Sequence, residues 1–496
     1  MRHRSLLLGC YRLSSLETWG FKISRTSTSS YSTAFRGNSA DVTSYNSEAD
    51  PSLNLIDHLI QRGLVKDITD RDGLLETLLS GTKTAVYCGA DPTALSLHVG
   101  NLVPLLGMLH FGIRGHEMIG LIGGATVEVG DPSGRDTERV ELENDVKIIN
   151  ETSISQQMER LLKNGIEYAR SKGYCDIGQM RIVNNATWWK DMSFLEFMGV
   201  VGRHLRVQEM LKRQSVQRRI TSEAGIGYNE FTYQALQAYD FFHLHKKFGC
   251  KIQFGGSDQY GNIASGVDLT SRLQFAQSLP RIQTFGVTTP LLTTATGEKL
   301  GKSAGNAVWL DPALTSPFAL YQYFVRLPDA DIEKYLRILT LLPLSEISAI
   351  VAKHEEDPSL RIGQHALGKE VTDIVHGLGF GEKAYVQSRI LYSTPSEGID
   401  YSADQIIDAF ENDSQLKVLP ATDVVNERVV KVIQRVASNR SMKSIRELVN
   451  SGGVYVGPRL TRVDDVQATV QPDWLINGRL VIIRLGKADM QIIKLE

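Results

Sequence analysis

Cysteine is scarce: there are four in 496 residues (Cys10, Cys88, Cys175, Cys250), widely spaced and never arranged as CxxC. That scarcity argues against a disulfide framework and a structural zinc site, and it fits a reducing compartment. Net charge is nearly absent as well, at −2, so any basic patch must be local. No run approaches the ~20 apolar residues of a membrane span. What is present is an ordinary globular composition, 42% hydrophobic and 22% charged, in a chain long enough for roughly two to four domains.

The N-terminus departs from this average. Arg2, Arg4, Arg12, Lys22, Arg25 and Arg36 stand against Glu17 alone, among many Ser and Thr, with Leu6, Leu7, Tyr11 and Leu13 able to form one apolar face. This pattern reads as an organelle transit peptide addressed to the mitochondrial matrix, with residues 1–45 as transit peptide and disordered lead. A disordered basic tail is the alternative.

Globular patterning follows. Leu55, Leu59 and Ile60 share a helical face that Gly63 ends. Three short apolar runs, in TAVYCG, in EMIGLIGG (Met118 to Ile122) and at Lys251 to Phe254, each lead into a glycine-containing loop. Helical sequence follows the first and third, over Leu97–Leu109 and from about Ile263. Strands alternating with helices predict an α/β fold with a doubly wound parallel sheet, whose ligands bind beyond the C-terminal strand ends. A largely helical stretch, about 143–248, reads as an inserted subdomain, and its part from Arg203 to Arg219 is basic. Residues 311–400 read as helical and 401–420 as a turn-rich linker. The last part, 421–496, mixes short helices and strands and carries twelve basic against eight acidic residues.

Two loops carry the chemistry. Thr93, His98, Gly100 and Asn101 stand where a strand gives way to a helix. There, free N–H groups, the positive helix end and a side-chain-free glycine suit a polyphosphate. A plain strand-helix turn remains the alternative. Far downstream, Thr293 to Asn306 holds Lys299-Leu-Gly-Lys-Ser303 among glycines. Two ammonium groups on such a loop can close over a transferring phosphate, although most KxxK runs are solvated surface. Finally, Tyr233, Gln237 and Asp240 share one helix face by spacing, between apolar neighbours that leave them little solvent.

These segments resemble the class I aminoacyl-tRNA synthetases, and among them the tyrosine enzymes of bacterial and mitochondrial type. His98-Val-Gly-Asn101 is similar to the HIGH signature and Lys299-Leu-Gly-Lys-Ser303 to KMSKS. The likeness continues through Leu121–Thr126, Gly130–Gly134, Tyr233–Asp240 and Gly255–Gln259, and covers nearly everything after about Ser52. It implies a Rossmann-like catalytic domain over 46–310 with a KMSKS-like loop at 293–306. An anticodon-binding helical domain over 311–400 and an S4-like RNA-binding domain over 421–496 would follow.

The resemblance also implies roles. Tyr87 and Asp240 would hold a tyrosine phenol, Asp131, Tyr233 and Gln237 its ammonium, and Gln253 and Gln259 would flank its carboxylate. ATP would meet Gly89, Asp91, His98, Asn101, Gly256, Asp258, Leu292 and Lys302. Thr93, His98, Asn101, Lys299 and Lys302 would stabilise the transferring phosphate. RNA contacts would come from Arg203, Arg206, Lys212, Arg213, Arg440, Lys443 and Arg446. The implied partners are tRNA(Tyr), L-tyrosine, ATP with its own Mg2+, and a second copy of the chain. No protein metal site, tightly bound cofactor or membrane is expected. Asn101 in place of a second His cannot be cationic, and Gly301 replaces the signature's Ser. Three rivals remain: a tryptophan enzyme of the same class, a small-molecule nucleotidylyltransferase, and an RNA-binding splicing factor on a synthetase scaffold.

Overall fold

The structure, a computed structural model, describes residues 54–135, 137–139, 141–293, 302–303, 306–394, 397–411, 413–437, 439–486 and 489–496. The expected transit peptide and Lys299 lie outside the described residues. No helix among the described residues is long and apolar enough to cross a membrane.

The catalytic part is built on a six-stranded sheet, β1 (Asp67–Ile68), β2 (Ala85–Ala90), β3 (Glu117–Ile122), β4 (Met180–Asn184), β5 (Cys250–Gly256) and β6 (Phe285–Thr289). Its spatial order is β1-β6-β5-β2-β3-β4, parallel throughout except for β1 at one edge. The chain winds outward in one direction through β2, β3 and β4, then restarts beside β2 with β5. The switch point therefore falls between β2 and β5, where such sheets open a crevice. The expected doubly wound sheet is present.

Strand periodicity sets the two faces. On β2 and β3, Val86, Cys88, Met118 and Ile122 join the core beneath α3 (Val99–Gly112) and α4 (Asn144–Ser171), whereas Ala85, Tyr87, Ile119 and Leu121 join the one beneath α9 (Tyr228–Phe248). Gly107 and Gly112 let α3 press onto the sheet. A Cβ on the first would lie 2.2 Å from the Phe254 ring, and on the second 2.1 Å from Met118 Sδ. Helix α1 (Leu55–Gln61) precedes β1 and α2 (Arg71–Leu79) lies between β1 and β2; α10 (Tyr260–Ala276) follows β5 and packs on α9.

The stretch 143–248 is not one inserted subdomain. It contains α4, a crossover helix of the main sheet, the edge strand β4, and α9, which covers the sheet's second face. Only 185–227 is extra, as four short helices: α5 (Ala186–Trp189), α6 (Phe194–Val200), α7 (Val207–Leu211) and α8 (Gln214–Ile220). The sequence hid β4 because, as an edge strand, its five residues are all half-buried and show no alternation.

Helices α11 (Pro317–Val325), α12 (Ile332–Leu339), α13 (Leu344–Glu356), α14 (Ile362–His376) and α15 (Phe380–Leu391) form the region expected at 311–400. Its core is continuous with the catalytic one, since Phe324, Leu336 and Val371 share a cluster with Leu106 and Leu161. Arg62, 1% exposed, ties α1 to the end of α12 by donating to the carbonyls of Arg337 and Thr340, both at 2.8 Å, and of Leu342. Helix-end carbonyls here take the place of an acid.

The expected linker at 401–420 is a correction. It holds α16 (Ala403–Ala409) and β9 (Leu416–Leu419), and β9 pairs in parallel with β13 (Asp489–Leu495). A five-stranded sheet results, ordered β11 (Thr461–Val463), β10 (Val454–Val456), β12 (Leu480–Leu485), β13, β9; the two-residue strands β7 (Lys302–Ser303) and β8 (Asn306–Ala307) pair separately. One face buries Val481 and Ile483 under α17 (Val429–Val436) and α18 (Met442–Asn450), and the other buries Leu480 and Ile482 against α15 and α16. Polar turn residues around the helix concealed a strand whose partner lies at the far end of the chain. A chain ending at 420 therefore keeps β9 without β13 and bares Phe410, whereas one ending at 394 removes the whole layer. Thermal melts with an apolar dye should show the chain ending at 420 melting several degrees lower and binding more dye than the one ending at 394. Equal behaviour would separate β9 from the terminal sheet.

Candidate active site

Three acids converge at the C-terminal end of the sheet. Asp240, on the inner face of α9, is 1% exposed. Its Oδ1 accepts the indole N–H of Trp188 at 2.8 Å and of Trp189 at 2.7 Å, and its Oδ2 accepts Asn185 Nδ2 at 3.0 Å. Burial pushes the acid up to about 6 against these three stabilising donors. Asn185, Trp188 and Trp189 follow β4 directly. Sequence reading missed them because their role depends on β4 ending beside α9; an Asn-Asn…Trp-Trp cluster after a strand was the only signal.

Tyr87 points from β2 into the same region, with its ring 5.3 Å from that of Phe241. Its hydroxyl is buried with no hydrogen-bond partner. Burial first, and then the Asp240 charge, hold the phenol well above its ordinary pKa, so it stays protonated and can donate. A buried donor left unmade is costly. Beside the Asp240 acceptor, it marks a slot for a group that both accepts and donates one hydrogen bond.

Asp91 and Asp131 form the second half. Asp91 accepts Tyr233 Oη and Thr126 Oγ1, each at 2.8 Å. Burial, and next the Asp131 charge, push it up to about 6. Asp91, expected on the ATP side, thus has one hydroxyl donor on each oxygen. Gly123 makes room for it, since a Cβ there would lie 1.9 Å from Asp91 Oδ1. Asp131 accepts Gln259 Nε2 at 2.7 Å, the Ser133 N–H at 3.0 Å and Asn262 Nδ2 at 3.4 Å. Gln237 is half-buried on the α9 face of Tyr233, and Gln253 Oε1 on β5 is buried without a partner. Two neighbouring acids that form no ion pair among the described residues, with Arg139 reaching only the Asp131 carbonyl at 3.4 Å, suit an ammonium group.

The nucleotide side is built at the start of α3. His98 is the N-cap, and the Asn101 side chain accepts the His98 N–H at 3.0 Å. Asn101 thus fastens the loop, leaving its amide N–H groups for a ligand. A Cβ on Gly100 would meet the His98 ring at 2.8 Å, so glycine there lets the imidazole fold over the helix start. The Thr93 N–H donates to the Asp91 carbonyl at 2.8 Å. Gly256 passes Asp258 closely, with a would-be Cβ 2.7 Å from Oδ1, whereas Gly89 is exposed and faces Leu121 at an ordinary 3.8 Å. Leu292 is buried.

The downstream signature returns to this loop through backbone. Lys302 pairs with Ala307 in the β7–β8 hairpin; one residue on, the Val99 N–H donates to Val308 O at 3.0 Å and the Leu310 N–H to Leu97 O at 2.8 Å. Trp309 forms a bridge with His98, their rings 6.4 Å apart. The described end of the second signature, Lys302–Ser303, therefore leads by backbone pairing to the start of the first.

The expected RNA residues lie apart from this crevice. Arg203 and Arg206 are exposed, Lys212 pairs with Glu209 at 2.9 Å, and Arg213 is half-buried beside Gly261. Arg219, counted in the basic stretch, is a correction: it is buried against Glu230 at 2.6 Å and holds α8 to α9. In the C-terminal sheet, Arg440 pairs with Asp489 at 3.0 Å, while Lys443 and Arg446 are exposed.

The raised Asp240 has a consequence for stability. Its folded value lies above the unfolded one, so the folded state binds the extra proton and stability falls as pH rises through about 6. Unliganded protein should lose roughly 1.4 kcal/mol from this group between pH 5 and 7. Denaturant titrations should show Asp240→Asn flattening that part of the curve; an unchanged slope would assign the titration elsewhere.

Known proteins share this arrangement. Residues 79–393 match the family model for tRNA synthetases class I (W and Y). The mitochondrial tyrosine–tRNA ligase of Saccharomyces cerevisiae is 44% identical over 454 residues, covering 90% of this chain and 89% of its own. The human mitochondrial tyrosine–tRNA ligase is 39% identical, covering 87% and 90%. A C-terminally truncated Aspergillus nidulans mitochondrial tyrosyl-tRNA synthetase superposes with a TM-score of 0.64 at 36% identity, over 68% of this chain and 94% of that one. With its parallel sheet, paired signatures and buried acids, the chain belongs to the tryptophan and tyrosine family of class I tRNA synthetases.

Proposed function

We propose that this chain is a mitochondrial tyrosine–tRNA ligase, acting in the matrix. The observation that carries the reading is the unpartnered Tyr87 hydroxyl facing the region of the buried Asp240 carboxylate. A phenolic oxygen accepts from Tyr87 while its proton goes to Asp240. An indole N–H can donate but cannot accept, which disfavours tryptophan. The family match sets aside a small-molecule nucleotidylyltransferase, and the close relatives are ligases rather than splicing factors.

Tyrosine's ammonium takes acceptors from Asp131, Tyr233 and Gln237, and Gln253 and Gln259 lie beside its carboxylate. That carboxylate, already ionised, attacks the α-phosphorus of ATP. A new C–O–P linkage forms, the bond to pyrophosphate breaks, and no protein base is needed. The protein aligns the groups and stabilises phosphate charge. Thr93 and His98 act from the α3 side, with Lys299 and Lys302 on the loop that the Trp309 bridge returns to it; Gly89, Gly256, Asp258, Asn101 and Leu292 accommodate the nucleoside. Mg2+ arrives with ATP. In the second step the terminal ribose hydroxyl of tRNA(Tyr) attacks the activated carbonyl and AMP leaves.

RNA would be held by Arg203, Arg206, Lys212 and Arg213 and by the C-terminal layer, which we read as S4-like, through Arg440, Lys443 and Arg446. A cleft of about 370 Å³ lined by Arg326, Arg361, Arg389 and the exposed Tyr392 supports an RNA-reading role for the helical region. A homodimer is supported by exposed apolar side chains on α6–α9, among them Phe194 at 65%, Leu195 at 80% and Tyr228 at 67%.

Tyrosine-dependent ATP–pyrophosphate exchange should occur without tRNA, and exchange driven by tryptophan instead would overturn the assignment. In that assay Asp240→Asn should lower kcat/KM for tyrosine by at least ~100-fold and for phenylalanine by less than ~3-fold. Preference for tyrosine over phenylalanine is an established property of this enzyme family.

A further inference from the structure

Asp240 must do more than be present; it must offer a free lone pair in one direction. An ionised carboxylate has about four acceptor sites. Among the described residues, three are taken: Trp188 and Trp189 both occupy Oδ1, and Asn185 occupies one side of Oδ2. The two tryptophans differ in what backs them. Trp188 stacks on His243 of α9, with ring centroids 4.3 Å apart and planes 13° from parallel. Trp189 is wedged between Tyr239 of α9 at 5.2 Å and Phe197 of α6 at 5.6 Å. Its indole is thus fixed from two helices, and its N–H makes the shorter of the two bonds to Oδ1.

We propose that Trp189 is a specificity-determining positioning residue: by filling Oδ1 jointly with Trp188, it turns the remaining Oδ2 lone pair toward the phenolic hydroxyl of the amino-acid substrate. This rests on the reading that Asp240 receives that hydroxyl. Without the second indole, Oδ1 regains an open acceptor site, the carboxylate can rotate or take up water, and an incoming phenol meets a less oriented partner. Phenylalanine makes no bond to Asp240, so its binding does not depend on which oxygen is filled. The same N–H also stabilises the charged form of the acid. The titratable groups that surround Asp240 are Tyr87 and Asp91 from the β2 side and Tyr233, Tyr239 and His243 from α9. Glu196 of α6 lies beyond, near Tyr239. None of them is removed by a change at Trp189.

The test is Trp189→Phe, which keeps a ring between Tyr239 and Phe197 and deletes only the donor. Pyrophosphate exchange would be measured with tyrosine and with phenylalanine between pH 5 and 8.5. KM for tyrosine should rise about tenfold with kcat within twofold of wild type, and KM for phenylalanine and for ATP should stay within twofold. The fall in tyrosine affinity on acidification should begin at higher pH than in wild type. An acid that has lost a donor protonates earlier, and its protonated form accepts the phenol's hydrogen bond more weakly. Trp189→His, which restores a ring N–H, should recover part of the preference, and it serves alone should the Phe variant not fold. Equal losses for tyrosine and phenylalanine, or an unmoved pH profile, would reduce Trp189 to packing and overturn the proposal. Absence of tyrosine-dependent exchange in the unaltered protein would instead remove the functional reading beneath it.

Discussion

The structure is organised around acids buried without an ion-pair partner among the described residues. Asp91 and Asp240 are both held near 6, with burial the leading cause, and the Asp131 charge adds to the cost of charging Asp91. The acids are enclosed by β2, β3 and α9, and the nearby Arg139 relieves Asp91 only in part, so a proton or a ligand carrying the complementary groups relieves the rest. The fold tolerates this cost because the acids sit on rigid elements whose own packing is complete. Tyr87 on β2 and Asp240 on α9 belong to elements locked by Phe241, Leu244 and Ile119. Strain of this kind belongs at functional sites.

The same sheet explains how two distant signatures come to act together. Helix α3 starts beyond β2 at the switch point, and its N-terminal loop is fastened by Asn101 rather than by a cation. The chain after Lys302 is stitched to that loop through Val308, Trp309 and Leu310. The tether is backbone pairing, which any side chain at those positions allows.

Basic residues in this chain divide by environment rather than by type. Arg62 and Arg219 are buried and structural, one satisfied by helix-end carbonyls and the other by Glu230. Arg203, Arg206, Lys443 and Arg446 keep their charge in solvent, where long-range attraction to a polyanion operates. The near-zero net charge conceals this division.

By itself the sequence determined the strand-loop-helix rhythm, the phosphate-type loop at His98 and the polar stripe on α9. Each of these is a local pattern: a short apolar run on β2, helical spacing from Tyr233 to Asp240, glycine at a turn. The sequence could not show what depends on partners far along the chain. Asp240 meets Trp188 and Trp189 across 52 and 51 residues, and Asp91 meets Tyr233 across 142. Strand β4 escaped notice at a sheet edge, and β9 was hidden until β13 supplied its hydrogen bonds. Periodicity records which face of an element is buried. Only the closed tertiary structure decides which other element is buried against it, and so which donors an acid receives.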